Sequence, residues 1–206
     1  MQEAGIPSDF FLKHTNLLKD KHETVQHAIL QSIGIHTQNK KTPRIRWIQF
    51  MQLYTLLQYA SATKAQYVDF WTRFMNPGAD KFVRREDFEH RMELLARGSF
   101  TDKETLISIN YARGLYQVLA SLNCLSKDEK QLGMINMGKV KKRLVSGALH
   151  TEYLNQTLKK DCEFILDEEM MADGEAKIRK MMPKQDSEDG GDAGMGSGLA
   201  QKIQLM

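Results

Sequence analysis

The chain is short of most features that announce chemistry. Its two cysteines, Cys124 and Cys162, have no CxxC spacing and no His beside them, which excludes a zinc site or a disulfide framework built on them. Each reads as a small buried side chain rather than a reactive thiol. No stretch approaches the roughly 18 consecutive apolar residues of a membrane span, and the opening MQEAGIPSDFF lacks a charged region followed by an apolar core. A reducing, intracellular, cytoplasmic location is expected. GxSxG, Walker and HExxH patterns are absent, and His14, His22, His27, His36, His90 and His150 show no metal-ligand spacing. Glu86 and Asp87 are adjacent carboxylates, but neighbours on a helix diverge by about 100° and do not form an acid/base pair; a solvated first turn explains them. No catalytic residue is expected.

Acids, too, are unevenly distributed. Residues 24–68 contain none, while Lys40, Lys41, Arg44, Arg46 and Lys64 supply five positive charges. Residues 161–192 carry eleven acids against four bases, a net −7, and residues 1–160 a net +9. A basic body with an acidic tail is suited to an acidic partner, whether protein, nucleic acid or the tail itself; ordinary solvated helix faces explain the same pattern.

What the chain does contain is helical periodicity. Its 41% hydrophobic content, with nine Phe and two Trp, is enough for a packed core. Val25, Ile29 and Ile33 recur at a spacing of four; Ile45, Ile48, Met51 and Leu53 open a run through Tyr54, Leu56 and Leu57. Tyr67, Phe70, Trp71 and Phe74 form another stripe, and Phe88, Met92 and Leu95 a third. Thr101 and Glu104 make a capping box for a helix carrying Leu106, Ile109, Leu115, Val118, Leu119 and Leu122. Val140, Leu144, Val145, Ala148 and Leu149 mark a later helix, which Tyr153, Leu154, Leu158 and Phe164 extend or follow. Strand alternation is missing, so the fold class expected is all-α. Beyond residue 184 the sequence QDSEDGGDAGMGSGLA has little to bury and reads as a flexible tail. Its glycines lack the strand and helix that a phosphate loop requires.

Three segments share a loop framework. Twelve-residue calcium loops place ligands at positions 1, 3, 5, 7, 9 and 12, with Gly at 6 for the turn; an apolar residue belongs at 8, and an aromatic often follows 12. In residues 76–87, Val83 takes position 8 and Phe88 follows the loop. Asn76, Gly78, Asp80, Lys81, Arg84 and Asp87 then stand at positions 1, 3, 5, 6, 9 and 12. Gly78 has no side-chain oxygen, Arg84 is a cation, Asp87 is shorter than the usual Glu, and Lys81 is expected in a backbone conformation that suits glycine better. The ligand positions sum to about −1, too little to offset dehydration of a dication. Asn-Pro-Gly at 76–78 also suffices simply as a helix-ending turn.

Residues 38–50, QNKKTPRIRWIQF, repeat the framework 38 residues upstream, with Ile45 at position 8 and Phe50 after the loop. Lys40, Thr42, Pro43 and Gln49 leave this loop without a carboxylate. Ile45 and Val83 are expected to face each other in a short ladder. Residues 128–139 form a third candidate, with Gly133 at 6 and Ile135 at 8, but Lys130, Leu132 and Lys139 at positions 3, 5 and 12. A capping box of Ser126 and Glu129, with Gly133 as the stop of a short helix, explains the same residues equally well. The 52-residue separation from the second loop is too long for regular spacing.

On RIRWIQF and KFVRREDF at matching loop positions, residues 22–97 resemble the EF-hand superfamily, in the paired arrangement of calmodulin-like or centrin-like proteins. The resemblance implies a helix–loop–helix pair and a helix-groove binding habit, without carrying over calcium binding. The organisation expected is an N-terminal extension (1–21), a paired degenerate EF-hand lobe (22–97), a C-terminal helical region (98–183) and a tail (184–206). Phe50, Met51, Tyr54, Phe74, Met75 and Met92 are the candidates for lining a groove, either open to a partner or filled from within, in which case the C-terminal helical segment is one filler. A non-catalytic interaction or structural subunit of a larger assembly is the function expected. Its partner is an amphipathic helix or an acidic surface such as tubulin in a cytoskeletal setting, and no cofactor is needed. Two other readings stand beside it. One is a calcium or magnesium sensor using Asn76, Asp80 and Asp87. The other is nucleic-acid binding through KKTPRIR and KVKKR, which has only Trp47 to interleave with its bases.

Overall fold

Thr63 shows how this chain starts a helix. Its hydroxyl accepts the Gln66 backbone N–H (3.3 Å), and the Gln66 side-chain oxygen accepts the Thr63 N–H (2.8 Å), so two otherwise orphaned donors are satisfied at once. The helix that follows, Lys64–Met75, buries Tyr67, Phe70, Trp71 and Phe74 on one side. It ends before Pro77, which cannot donate a backbone bond. The computed structural model describes residues 5–19, 21–35, 43–59, 62–97, 102–158 and 164–182. Thr101, Cys162, residues 38–42 of the first loop and the tail beyond 184 lie outside the described residues.

The described chain is mostly helical, as the periodicity predicts. In order it forms β1 (Ile6–Pro7), α1 (Ser8–His14), α2 (Glu23–Ser32), β2 (Arg44–Ile45), α3 (Trp47–Tyr54) running into a π turn at Thr55–Tyr59, and α4 (Lys64–Met75). There follow β3 (Phe82–Val83), α5 (Arg85–Ala96), α6 (Asp102–Ser121), β4 (Ile135–Asn136), α7 (Met137–Ser146), α8 (Glu152–Asn155) and α9 (Glu168–Met181). Caps fit the ends. Asn136 accepts the Lys139 N–H at the start of α7, which stops at Gly147 in the left-handed region (φ 84°), and Asp167 accepts the Met170 N–H at the start of α9.

The strands pair differently from the expected ladder. Ile45 does not face Val83: Ile6 pairs with Ile45 in one antiparallel ladder, and Val83 pairs with Ile135 in the other. The second ladder is therefore made by the second and third loops, and the first by the first loop and the N-terminal segment. Each of the four strands leads at once, or after one residue, into a helix. The 52-residue spacing fits because α6 is 20 residues long, about 30 Å, and needs the extra turns at 122–134 to bring Ile135 back beside Val83. The Met137 N–H donates to the Lys81 carbonyl (3.2 Å) and the Asn136 N–H to the Cys124 carbonyl (2.8 Å), fixing this register. The short-helix reading of residues 126–133 holds in part. A short 3-10 turn, Glu129–Gln131, is capped by Asp128 rather than Ser126, and Gly133 has φ 76°.

Around these ladders the buried side chains form one core, joining Phe11, Ile29 and Leu53 to Trp71, Phe88, Leu115 and Leu144. Within it the Trp71 indole N–H donates to the Asn155 side chain (2.8 Å), satisfying the polar end of the largest buried residue. Lys21 ties the N-terminal part to the rest, its ammonium donating to the Leu95 and Thr157 carbonyls (3.1 and 2.9 Å). α6 packs along both α5 and α9. The α6–α9 crossing is close because glycine stands at it on both sides. A Cβ on Gly174 would fall 1.9 Å from the Gln117 carbonyl oxygen, and one on Gly114 would fall 2.7 Å from the Met171 sulfur.

Candidate functional site

The loop at residues 76–87 is closed by its own hydrogen bonds. The Asn76 amide donates to the Asp80 carbonyl (2.6 Å), and its oxygen accepts the Asp80 N–H (3.0 Å), so both ends of the side chain are spent on backbone. The Asp80 carboxylate lies over Gly78, where a Cβ would meet it at 2.5 Å. Asp87 sits in the first turn of α5 beside Arg91, whose ionisation burial pushes down and the Asp87 charge pushes back up. Asp80 and Asp87 line a cleft of about 630 Å³ between α2 and the loop, where Arg84 and Arg91 bring the opposite charge and His27 and His90 add imidazole rings. Among the described residues, no three His, Cys, Asp or Glu side chains are grouped to hold a metal ion.

The backbone strain expected at Lys81 is elsewhere. Positive φ falls on Ala79 (55°), because the chain turns between Asn76 and Ala79, whose N–H donates to the Asn76 carbonyl (3.2 Å), before it reaches Lys81. A left-handed conformation costs an L-residue such as alanine about 1–2 kcal/mol, partly offset for glycine by its greater unfolded freedom. Ala79→Gly is expected to raise stability by about 0.5–1 kcal/mol, read as a higher urea midpoint at unchanged slope.

The six groove candidates divide. Phe74, Met75 and Met92 are fully buried core residues: α4 and α5 turn them inward, where they pack in the common core. Phe50 and Tyr54 are half-buried, and Met51 is exposed at the edge of α3. Beside these stand two residues the periodicity did not single out for binding, Trp47 (73% exposed) and Ile48 (75% exposed). Trp47 stacks on Phe50 (centroids 5.4 Å apart), Phe50 on Tyr54 (5.8 Å), and the edge of Phe11 meets Phe50 (6.1 Å), so the aromatic row is held from α1. The inner side of the same segment is sealed by Leu53 and Leu56.

The signal was present in WIQFMQLY. Apolar residues at 47, 48, 50, 51, 53 and 54 surround the helix rather than forming one stripe, and an all-round apolar helix demands cover on every side. Here one side is covered by protein. Exposed apolar side chains continue onto the neighbouring segment with Ile6 and Phe10. Arg44 and Arg46, both exposed, border the face.

Among the described residues, no cluster of acidic and basic side chains comparable to this face is assembled for acid/base work. His14 stacks on Phe10 (4.1 Å), the His22 ring caps α2, and His27 pairs with Glu23 (3.6 Å). Where ionisation is displaced, in Arg91, Tyr116, Tyr153 and Cys124, burial is the leading cause. No family model, no curated protein and no solved structure matches this chain.

Proposed function

We propose that the chain is a non-catalytic, calcium-independent interaction module with an EF-hand-like helical body, serving as a fixed adaptor or structural subunit of a larger assembly. The carrying observation is the exposed aromatic and aliphatic face of α3, held in place on a filled core. Supporting the EF-hand-like reading are four short strands, paired two by two, each leading into a helix. Calcium independence is supported by the loop chemistry. The Asn76 amide is committed to Asp80 backbone, Arg84 stands at a ligand position and Lys81 at the glycine turn position, and the first loop has no carboxylate. Phe74, Met75 and Met92 lie inside, so the groove-forming residues of this reading are filled from within and do not wait for an ion to expose them.

Affinity capture on the full chain tests this. Partners identified by quantitative mass spectrometry are expected to be retained equally in calcium and in EGTA, and lost with Ile48→Asp. Capture that requires calcium, together with saturable heat on calcium titration abolished by Asp80→Ala, would establish the sensor instead.

A further inference from the structure

Resting on the interaction reading above, we infer that the α3 face receives one amphipathic helix whose flanks are acidic. Three observations select that occupant. The exposed row is narrow: Trp47, Ile48 and Met51 fall at i, i+1 and i+4 of one short helix, with Phe50 and Tyr54 at its margin, which matches the apolar stripe of a single partner helix. Its apolar area, on the order of 400 Å², is about half of the roughly 800 Å² each partner contributes to a standard interface, so it suits one helix better than a second folded copy of this chain. Its surroundings are mainly basic: exposed Arg44 and Arg46 precede the helix, residues 24–68 contain no acid, and on the adjoining α1 the one acid, Asp9, is matched by Lys13. Acidic flanks meet attraction there, whereas basic flanks meet repulsion.

Trp47 supplies the readout. The chain has two tryptophans, and Trp71 is fully buried, so a change in emission on ligand addition reports the α3 face. The probes are an 18-residue designed peptide with leucines at i, i+3, i+4 and i+7 and glutamates on both flanks, its counterpart with every Glu replaced by Lys, and vesicles containing phosphatidylserine. The acidic peptide is expected to shift Trp47 emission to the blue and to bind at least about tenfold more tightly than the Lys counterpart. Arg44→Glu is expected to reduce that preference severalfold, and Ile48→Asp to abolish binding while far-UV circular dichroism is unchanged. Equal binding of the two peptides, no shift with the acidic peptide, or a shift with vesicles alone would overturn the acidic-helix occupant. If that happens while EGTA-resistant, Ile48-dependent capture persists, the interaction reading survives and only the occupant is wrong. Loss of that capture removes the interaction reading itself.

Discussion

Gly174→Val is expected to lift α9 from α6 and to lower stability by about 3 kcal/mol. At Gly174 a single Cβ would stand 1.9 Å from the Gln117 carbonyl oxygen, 2.6 Å from its carbonyl carbon and 3.0 Å from its Cα. All three are backbone atoms of a helix, so no rotamer change relieves the clash; the helices must separate. Separation on that scale removes the dispersion contacts along the crossing, which decay within a fraction of an ångström to an ångström of gap. It also costs the bond from the Lys177 ammonium to the Ser121 carbonyl (2.6 Å), which satisfies an acceptor at the C-terminal end of α6. Met170, Met171, Ile178 and Met181, now packed on the core, would meet water. Overpacking of this kind is typically worth about 1–3 kcal/mol, and the lost helix contacts push the effect to the upper end. The test is hydrogen exchange resolved by peptide. Amides of 168–181 are expected to lose protection, with those of α4 retaining theirs until global unfolding, and the thermal midpoint is expected to fall by several degrees. Unchanged protection of α9 would show that the crossing tolerates a side chain.

That crossing was not legible in the sequence, and the reason is physical. Gly174 interrupts a helical pattern, EEMMADGEAKIRKM, where it counts against the helix by about 1 kcal/mol relative to alanine. Only the partner surface makes it useful, and helix pairing between Gln117 and Gly174, 57 residues apart, leaves no local trace. Helices α4 and α5 are legible, because the stripe at Tyr67, Phe70, Trp71 and Phe74 and that at Phe88, Met92 and Leu95 obey one period and are buried as that period requires, whereas α1 and α9 have no such stripe assigned. Pairing of the loops is not legible. The framework residues Ile45, Val83 and Ile135 were found, but each strand is two residues long, too short for a pattern to choose between partners. Ile6 carries no loop signature at all, so the first ladder had no sequence cue.

The candidate surface was half legible for a similar reason. Periodicity says which residues are apolar, and the groove reading then ranked Phe74, Met75 and Met92 with Phe50, Met51 and Tyr54. Burial separates them, since α4 and α5 are covered on their apolar side while α3 has more apolar circumference than the fold covers. Counting apolar positions around α3, instead of asking only for a stripe, would have pointed to Trp47 and Ile48. Alignment with a twelve-residue loop put the left-handed position at Lys81, but Pro77 and Gly78 tighten the turn so that Ala79 takes it first.

Alkali is expected to destabilise the protein through Cys124. Its side chain is fully buried where the 122–134 turns return to β4, and burial pushes the thiol up to about 11, with Arg143 and Lys139 pulling weakly the other way. In the unfolded chain the same thiol ionises near its ordinary value of about 8.5 to 9. Below that value both states keep the proton, and Cys124 makes stability independent of pH. Between about pH 9 and about 11 the unfolded chain releases the proton while the folded chain holds it, so stability falls as pH rises. At 1.36 kcal/mol per pH unit the loss approaches about 2–3 kcal/mol across the window. Tyr116 and Tyr153, also raised by burial, add a loss of the same sign at the upper end. Urea midpoints of the native chain and of Cys124→Ala at pH 8, 9 and 10 isolate the thiol. The variant is expected to start lower at pH 8, since a buried sulfur has been removed, and then to fall less steeply, with the two curves converging toward pH 10. Parallel curves would mean that Cys124 ionises as readily folded as unfolded, which is incompatible with a thiol sealed behind the Asn136–Cys124 backbone bond.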